Sequence, residues 1–386
     1  MTDAMKGKNI ILACLATLLA AACSKAPAGD TTGDETVYGE PIPVTIEVGI
    51  GKEDPETRMA YTLSGNTLKS SWNKGDQISL VTYDQRYKLM TNDILTAEAS
   101  GTSVKFKGTY SNPYIIGSSV RSGVEIIYPA FSGEPLATPK ELYNDYNAYG
   151  PLYVGSDKYL YFDADRKFVQ HSDGDLTNLP YYTIIYGLVD HDILSSTGRF
   201  NSNLHQCTYI IKANLTLPDK NPAGNVDFTL TSARFEVVRI DFPSSVPKLI
   251  GSGSTDFNRF SYGFIGGKPY LETYFNKIGS DGESVGLTFK RGSTITVYFV
   301  GGLTYDSPKI FNDPAWQIKI MLYRKDNPET PICITRNKVN VGEFSDGRMY
   351  TLNADLNNAD GLFSIDPSDM DMSFYNPFGS SETILN

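Results

Sequence analysis

The sequence predicts an all-β protein built from two β-sandwich domains in tandem. Short runs of alternating apolar and polar residues recur along its 386 residues, and turn residues separate them. Long helical patterns are absent. The 25 Tyr and 19 Phe favour strands, while 34 Gly and 21 Pro supply the turns. A chain of this length is sufficient for about two domains of ordinary size.

The strand candidates follow one another throughout the chain, with two less regular stretches. The stretch between Pro129 and Asn178 is predicted as irregular, and residues 251–282 are predicted as a poorly patterned insertion. After the opening strand, the predicted strands are 60–63, 67–72, 77–83, 104–110, 125–129, 159–162, 182–188, 208–217, 227–230, 234–242, 285–289, 293–300, 316–324, 330–335 and 349–352.

The opening strand is the segment that the functional prediction depends on. Val44, Ile46, Val48 and Ile50 alternate with polar or small residues, which is the period of a strand with one buried face. A polar loop follows and ends at Arg58-Met59, a trypsin-like cleavage site. Removing such a strand would leave an apolar groove and an unpaired sheet edge, which invites a strand from another molecule. The alternative is an ordinary first strand with an ordinary loop.

The N-terminus has the pattern of an export signal. Lys6 and Lys8 precede an apolar run that is too short for a permanent transmembrane helix. The run ends in Leu19-Ala20-Ala21-Ala22-Cys23, which resembles the lipobox of bacterial lipoproteins. That resemblance implies removal of residues 1–22, lipidation of Cys23 and anchoring in a membrane. The alternative is a plain secretory signal. Residues 23–40 are predicted as a flexible tether.

Composition excludes several classes of function. A net charge of −10 with no basic patch argues against nucleic-acid binding. Three His leave little material for a metal site, and the loop carboxylate clusters, such as Asp173 with Asp175, fit solvated loops better than Ca²⁺ sites. No catalytic motif is present, so we expect neither an enzyme nor a cofactor. Cys207 and Cys333 are the cysteines of the folded body, and the sequence leaves their pairing open.

A family resemblance adds a specific expectation. Thr57-Arg58, the block Ser71-Trp72-Asn73-Lys74-Gly75-Asp76-Gln77-Ile78 and the lipobox together resemble the fimbrillins, the type V pilins of Gram-negative anaerobes. The block Gly347-Arg348-Met349-Tyr350-Thr351-Leu352 resembles their last core strand. In physical terms, Trp72 can fill a sandwich core and Gly75 suits a turn with positive φ. A generic sandwich with a core Trp is the alternative.

This resemblance implies two transthyretin-like sandwiches, at residues 41–200 and 201–386. It implies a lipidated outer-membrane precursor that an arginine-specific protease cuts between Arg58 and Met59. The strand containing Val44, Ile46, Val48 and Ile50 would then be removed. Other pilin subunits would be the partners in an extracellular fimbrium, with the position as stalk, tip or base left open.

The tail, residues 364–386, is the predicted donor strand. Met370, Met372 and Phe374 alternate with polar residues and follow a predicted hinge at Asp366-Pro367-Ser368. We expect this segment to fill the groove of an adjacent subunit. An edge strand of its own domain is the alternative.

A Tyr-rich segment suggests a different function. Tyrosines between positions 143 and 161 form a candidate recognition surface for glycans or proteins of host or bacterial surfaces. They could equally pack a loop onto the sandwich. The alternative function is therefore a non-polymerising surface lipoprotein that binds glycans.

Overall fold

The fold was established from a computed structural model. It describes residues 36–49, 60–64, 67–84, 88–115, 123–131, 135–136, 152–163, 168–201, 204–239, 248–255, 264–276, 284–303, 316–337, 347–357 and 364–369. The described chain is almost entirely β-structure, which confirms the predicted all-β class.

The described residues include 27 strands and two short helices. The helices are α1 (Leu179–Tyr182) and α2 (His191–Thr197). The strands are β1 (Thr36–Tyr38), β2 (Ile42–Gly49), β3 (Ala60–Ser64), β4 (Thr67–Ser71), β5 (Gln77–Tyr83), β6 (Leu89–Ala97), β7 (Ser103–Tyr110), β8 (Pro113–Ile115), β9 (Gly123–Tyr128), β10 (Pro135–Leu136), β11 (Leu152–Gly155), β12 (Leu160–Phe162), β13 (Phe168–Gln170), β14 (Ile185–Val189), β15 (Arg199–Asn201), β16 (His205–Gln206), β17 (Thr208–Thr216), β18 (Phe228–Arg239), β19 (Ile250–Thr255), β20 (Phe264–Lys268), β21 (Tyr270–Phe275), β22 (Leu287–Phe289), β23 (Thr294–Gly302), β24 (Trp316–Arg324), β25 (Ile332–Asn337), β26 (Arg348–Asp355) and β27 (Ser364–Asp369).

The first sheet has eight strands in the order β15-β2-β7-β6-β5-β9-β14-β16. Its alternating apolar side chains, such as Val104 and Phe106 of β7, enter a hydrophobic group that we call the N-terminal cluster. The β3–β4 hairpin supplies Leu68 to the same cluster, and α2 supplies Leu194. This arrangement follows from the period of two in the strands, because every second side chain points to the same face.

Two further sheets enclose the main cluster. The second sheet runs β10-β11-β12-β19-β23-β17-β26-β27, with β20 paired to β19, and the third runs β13-β21-β18-β24-β25, with β22 paired to β18. Tyr209 and Ile211 of β17 share this cluster with Phe235 of β18 and Ile320 of β24. The paired inner faces form the sandwich core that the alternating sequence predicts.

Several strands before residue 200 belong to these later sheets. β12 pairs antiparallel with β19, and β13 pairs parallel with β21. The prediction of irregular structure between Pro129 and Asn178 is therefore wrong at β11 and β13, whereas the strand predicted at 159–162 is confirmed as β12. These strands have only three or four residues each, too few to give a clear period. The division into domains at residue 200 remains a prediction, and these pairings cross it.

Other strands were missed for identifiable reasons. The predicted insertion at 251–282 contains β20 and β21. The outer face of β21 carries Tyr and Glu, and the large Tyr side chains make its apolar–polar alternation hard to recognise in the sequence. β6 was missed because Asn92 and Asp93 interrupt its apolar pattern. The Asn92 amide N–H donates to the carbonyl of Phe131 at 2.6 Å, and Asp93 accepts from Ser111, so each side chain has a tertiary partner. The predicted strand from residue 182 begins only at Ile185, after α1.

Candidate functional site

β2 lies one strand in from the edge of the first sheet. It pairs antiparallel with β7 along its whole length, from Ile42 opposite Tyr110 to Gly49 opposite Ser103. On its other side, the described residues pair it in parallel with β15 at three positions. The strand is therefore fully paired on one side and lightly covered on the other.

The apolar side chains of β2 are part of the core. Val44, Ile46 and Val48 are at most 2% exposed and belong to the N-terminal cluster, whereas Glu47 is exposed. The predicted two-faced strand is thus confirmed for residues 42–49. The fourth predicted member, Ile50, lies outside the described residues.

The short pairing of β15 with β2 depends on one glycine. Gly198 follows α2 with a φ of 62°, and its carbonyl accepts a hydrogen bond from the Thr45 N–H at 2.8 Å. A Cβ at this position would lie 2.5 Å from the carbonyl oxygen of Pro43. Only a residue without a side chain allows this approach at this φ, so Gly198 is what lets β15 run alongside β2.

The Trp-containing block folds as its residue types predict. Trp72 is fully buried and makes edge-to-face contacts with Phe106 and Tyr128, at 5.0 Å between ring centroids in each case. Gly75 turns the chain with a φ of 94°, and Asp76 accepts from the Asn73 N–H at 2.7 Å. The block therefore packs the β4–β5 connection into the N-terminal cluster, which also contains the buried residues of β2.

Hydrogen-bonded polar groups close the end of β7 nearest Ile42. The Tyr110 hydroxyl lies 3.4 Å from Thr82 Oγ1, and the ring is fully buried. Burial raises the pKa of Tyr110 to about 12, so the phenol remains uncharged. Burial also raises the pKa of Asp93, which accepts two hydrogen bonds from Ser111. The β2 environment is thus suited to an apolar strand.

Most of the other predicted site residues lie outside the described part of the chain. These are Cys23, Arg58, Met59, Met370, Met372 and Phe374. The nearest described positions are Ala60, where β3 begins, and Asp369, where β27 ends.

The beginning of the tail is a strand. β27 pairs antiparallel with β26 over six residues and occupies the end of the second sheet. The hinge predicted at Asp366-Pro367-Ser368 is therefore wrong, because all three residues lie within β27. Proline is tolerated in an edge strand, where its missing N–H costs no ladder hydrogen bond.

The two cysteines and the loop carboxylates occupy ordinary structural positions. Cys207 is buried, Cys333 is exposed on β25, and no disulfide joins them.

The loop carboxylate Asp173 accepts a hydrogen bond from the Thr296 N–H at 2.7 Å. Burial alone would raise the pKa of Asp175, but hydrogen bonds from Thr177 and His171 outweigh burial and lower it. Within the described ranges, no group of three His, Cys, Asp or Glu could hold a metal ion. None of the described helices is long and apolar enough to span a membrane.

One buried carboxyl group at the far end of the first sheet was not predicted. Glu125 of β9 is 5% exposed, and the Tyr186 hydroxyl donates to its Oε1 at 3.5 Å. Burial raises the pKa of Glu125 to about 8. The sequence signal was a single acidic residue inside the apolar run Gly123–Tyr128.

Comparisons with known proteins give low similarity. No family model matches the chain, and no curated protein does. A solved structure from Bacteroides ovatus, provisionally assigned to cell adhesion, has 12% identity and a TM-score of 0.38, covering 86% of this chain and 98% of its own. A fimbrial protein from Bacteroides vulgatus has 9% identity and a TM-score of 0.32, covering 77% and 93%. A fimbrial assembly protein from Parabacteroides distasonis has 9% identity and a TM-score of 0.30, covering 86% and 99%. TM-scores this low do not establish a shared fold, so the proposals below rest on the residues of this chain.

Proposed function

We propose that this chain is a subunit of a surface pilus that assembles by strand exchange. It is made as a precursor lipidated at Cys23 and held at the outer membrane. An arginine-specific protease cuts it between Arg58 and Met59. β2 is then lost, and a strand from another subunit takes its place in the extracellular fibre.

The observation that carries this proposal is the position of β2. It is a complete strand with one fully paired side, one lightly covered side and three buried apolar residues. Only residues 50–59 separate its end from the beginning of β3 at Ala60. A cut between Arg58 and Met59 would therefore separate β2 from the rest of the chain and leave Met59 as the single residue before β3.

Energetics explain why a replacement strand is needed. Burying Val44, Ile46 and Val48 contributes about 1.5–3 kcal/mol each, and the ladder to β7 adds roughly 0.5–1.5 kcal/mol per hydrogen bond. A vacant groove would expose this apolar surface and the edge of β7. A strand with a matching alternation would restore both contributions.

The tail supplies a matching sequence. Met370, Met372 and Phe374 repeat the spacing of the three buried residues of β2. They follow β27, whose pairing is with β26 at the end of the second sheet. An edge strand has fewer hydrogen bonds to lose than an interior strand, which favours release of the tail over spontaneous release of β2.

Digestion with an arginine-specific protease tests the proposal. We expect a new N-terminus at Met59 and the appearance of a ladder of polymers on sizing. Arg58→Ala should remain uncut and monomeric, while Lys52→Ala in the same loop should behave as wild type. Deletion of 364–386 should permit cutting but stop polymerisation. Unchanged polymers in that deletion would rule out the tail as donor, and a monodisperse cut protein would favour a non-polymerising surface protein.

A further inference from the structure

The β11–β12 hairpin presents aromatic rings on its outer face. Leu152, Val154, Leu160 and Phe162 are buried in the main cluster. The residues between them therefore point away from that core, since strand side chains alternate. Tyr153 and Tyr161 are directly opposite each other in the ladder and are half-buried, as is Tyr159 at the end of the turn. We call these three residues the tyrosine platform.

Local contacts fix the rings of the platform. Tyr153 and Tyr161 stack with 5.3 Å between centroids and 18° between their planes. The Tyr161 hydroxyl donates to Asp157 Oδ2 at 2.5 Å. A Cβ at Gly155 would overlap the Tyr161 ring and lie 2.7 Å from Asp157 Oδ1, so a glycine is required for this packing.

The turn that carries Asp157 is also fixed to the first sheet. The Leu89 N–H donates to the carbonyl of Lys158 at 2.7 Å, and the Lys88 ammonium lies 5.6 Å from the centroid of the Tyr159 ring. The Gly155 N–H donates to the Tyr159 carbonyl at 2.9 Å, which closes the turn. A ligand on this surface would therefore lose little free energy to ordering side chains.

We propose that the tyrosine platform and Asp157 bind a neutral saccharide. The C–H face of a pyranose ring would stack on the tyrosine rings, and a sugar hydroxyl would donate to the Asp157 carboxylate. The site geometry favours this ligand over a protein anchor, because protein hot spots cluster in well-packed, fully desolvated pockets. Here the rings are half-buried on the outer face of a hairpin, and their charged neighbours are the exposed Asp157 and, beside Tyr159, the Lys88 ammonium.

Charge selects among saccharides. Asp157 is exposed at the turn, and the carboxylate of Asp163 acts electrostatically on Tyr153. These carboxylates lie beside Tyr161 and Tyr153, whereas the Lys88 ammonium lies beside Tyr159, so the Tyr153–Tyr161 face disfavours sialylated or sulfated sugars. The hydrogen bond to Asp157 raises the pKa of Tyr161 to about 12, so the phenol does not add a further negative charge. This inference goes beyond the proposed pilus function and does not depend on strand exchange.

Saturation-transfer NMR on the full chain tests the proposal with maltohexaose, cellohexaose and N-acetyllactosamine as probes. We expect transfer to the C–H protons of at least one probe. Tyr153→Ala and Tyr161→Ala should each lower its affinity about tenfold. Tyr161→Phe keeps the ring and loses the bond to Asp157, so its loss should be smaller. Thermal unfolding of each variant checks that the fold is retained.

Tyr270→Ala is the matched control, because Tyr270 lies on the third sheet with its ring 4.2 Å from the Arg234 guanidinium carbon. It should leave affinity unchanged. An absence of transfer from all three probes, or an equal loss in Tyr270→Ala, would overturn the proposal. Polymerisation after protease treatment should be the same in Tyr161→Ala as in wild type, so failure of this site and failure of the pilus proposal give different results.

Discussion

The two ends of the first sheet are attached to the rest of the molecule in different ways. At one end, β2 pairs only with β7 and β15, both within residues 103–201. At the other end, Ile127 of β9 enters the main cluster, as does Ile184 just before β14. The Cys207 N–H donates to the Ile184 carbonyl at 2.8 Å, and β16 leads directly into β17.

Because of this difference, β2 is the strand that the molecule could lose with the least damage to the junction between the sheets. Removing β2 would open the N-terminal cluster but leave the junction between the first and second sheets in place. Removing β9 or β14 would disturb both clusters, because these strands contact the main cluster as well. A strand-exchange site is therefore expected at the β2 end, and the opposite end is expected to serve as the junction.

The largest expected effect is a core truncation in β2. Ile46 is fully buried, so Ile46→Ala should lower the free energy of unfolding by about 2–5 kcal/mol. Glu47→Ala, at the neighbouring exposed position, should change it by less than about 0.5 kcal/mol. Leu188→Ala at the opposite end should be similarly mild, because Leu188 is 55% exposed. Urea denaturation measures all three.

Ile46→Ala also tests the exchange model. Weakening β2 should speed polymerisation of the Arg58-cut protein, because the strand is released more easily. Slower polymerisation of the cut variant would contradict the assignment of β2 as the strand that leaves.

The second effect concerns the light cover on β2. Gly198→Ala combines a positive φ with a contact at 2.5 Å to Pro43 and should cost about 2–3 kcal/mol. Gly224→Ala is the matched control, because its φ is 110° but nothing lies within 4 Å of the added Cβ. It should cost about 1 kcal/mol. Equal losses would show that strain alone, and not the approach to β2, makes Gly198 necessary.

Much of this architecture was accessible from the sequence. The alternation of Val44, Ile46 and Val48 predicted a half-buried strand, and β5 and β24 were predicted with their observed bounds. The core position of Trp72 and the turn at Gly75 followed from residue type. These features are local, so a short window of sequence determines them.

The features that the sequence did not reveal depend on distant partners. The two central polar residues of β6, Asn92 and Asp93, are hydrogen-bonded by Phe131 and Ser111, which are distant in sequence. The tyrosine platform was predicted only as a Tyr-rich recognition surface, and the stacking of Tyr153 on Tyr161 follows from the β11–β12 register. Glu125 gave a signal, a charge in an apolar strand, but its partner Tyr186 lies on β14. Pairings of this kind are set by tertiary structure.

The last prediction concerns a pH dependence of stability at the junction end. The pKa of Glu125 is raised to about 8 by burial, above its ordinary value of 4.5. Between these values the folded state holds a proton that the unfolded state has lost, so stability is full at low pH and falls as the pH rises toward 8. Glu125→Gln removes the titrating group, so its stability relative to wild type should rise between pH 5 and pH 8. Ile46→Ala provides the comparison, because its loss of unfolding free energy relative to wild type should be the same at both pH values. Urea denaturation of the three proteins at both pH values measures the difference, and a wild type that gains stability from pH 5 to 8 relative to Glu125→Gln would contradict the neutral buried carboxyl group.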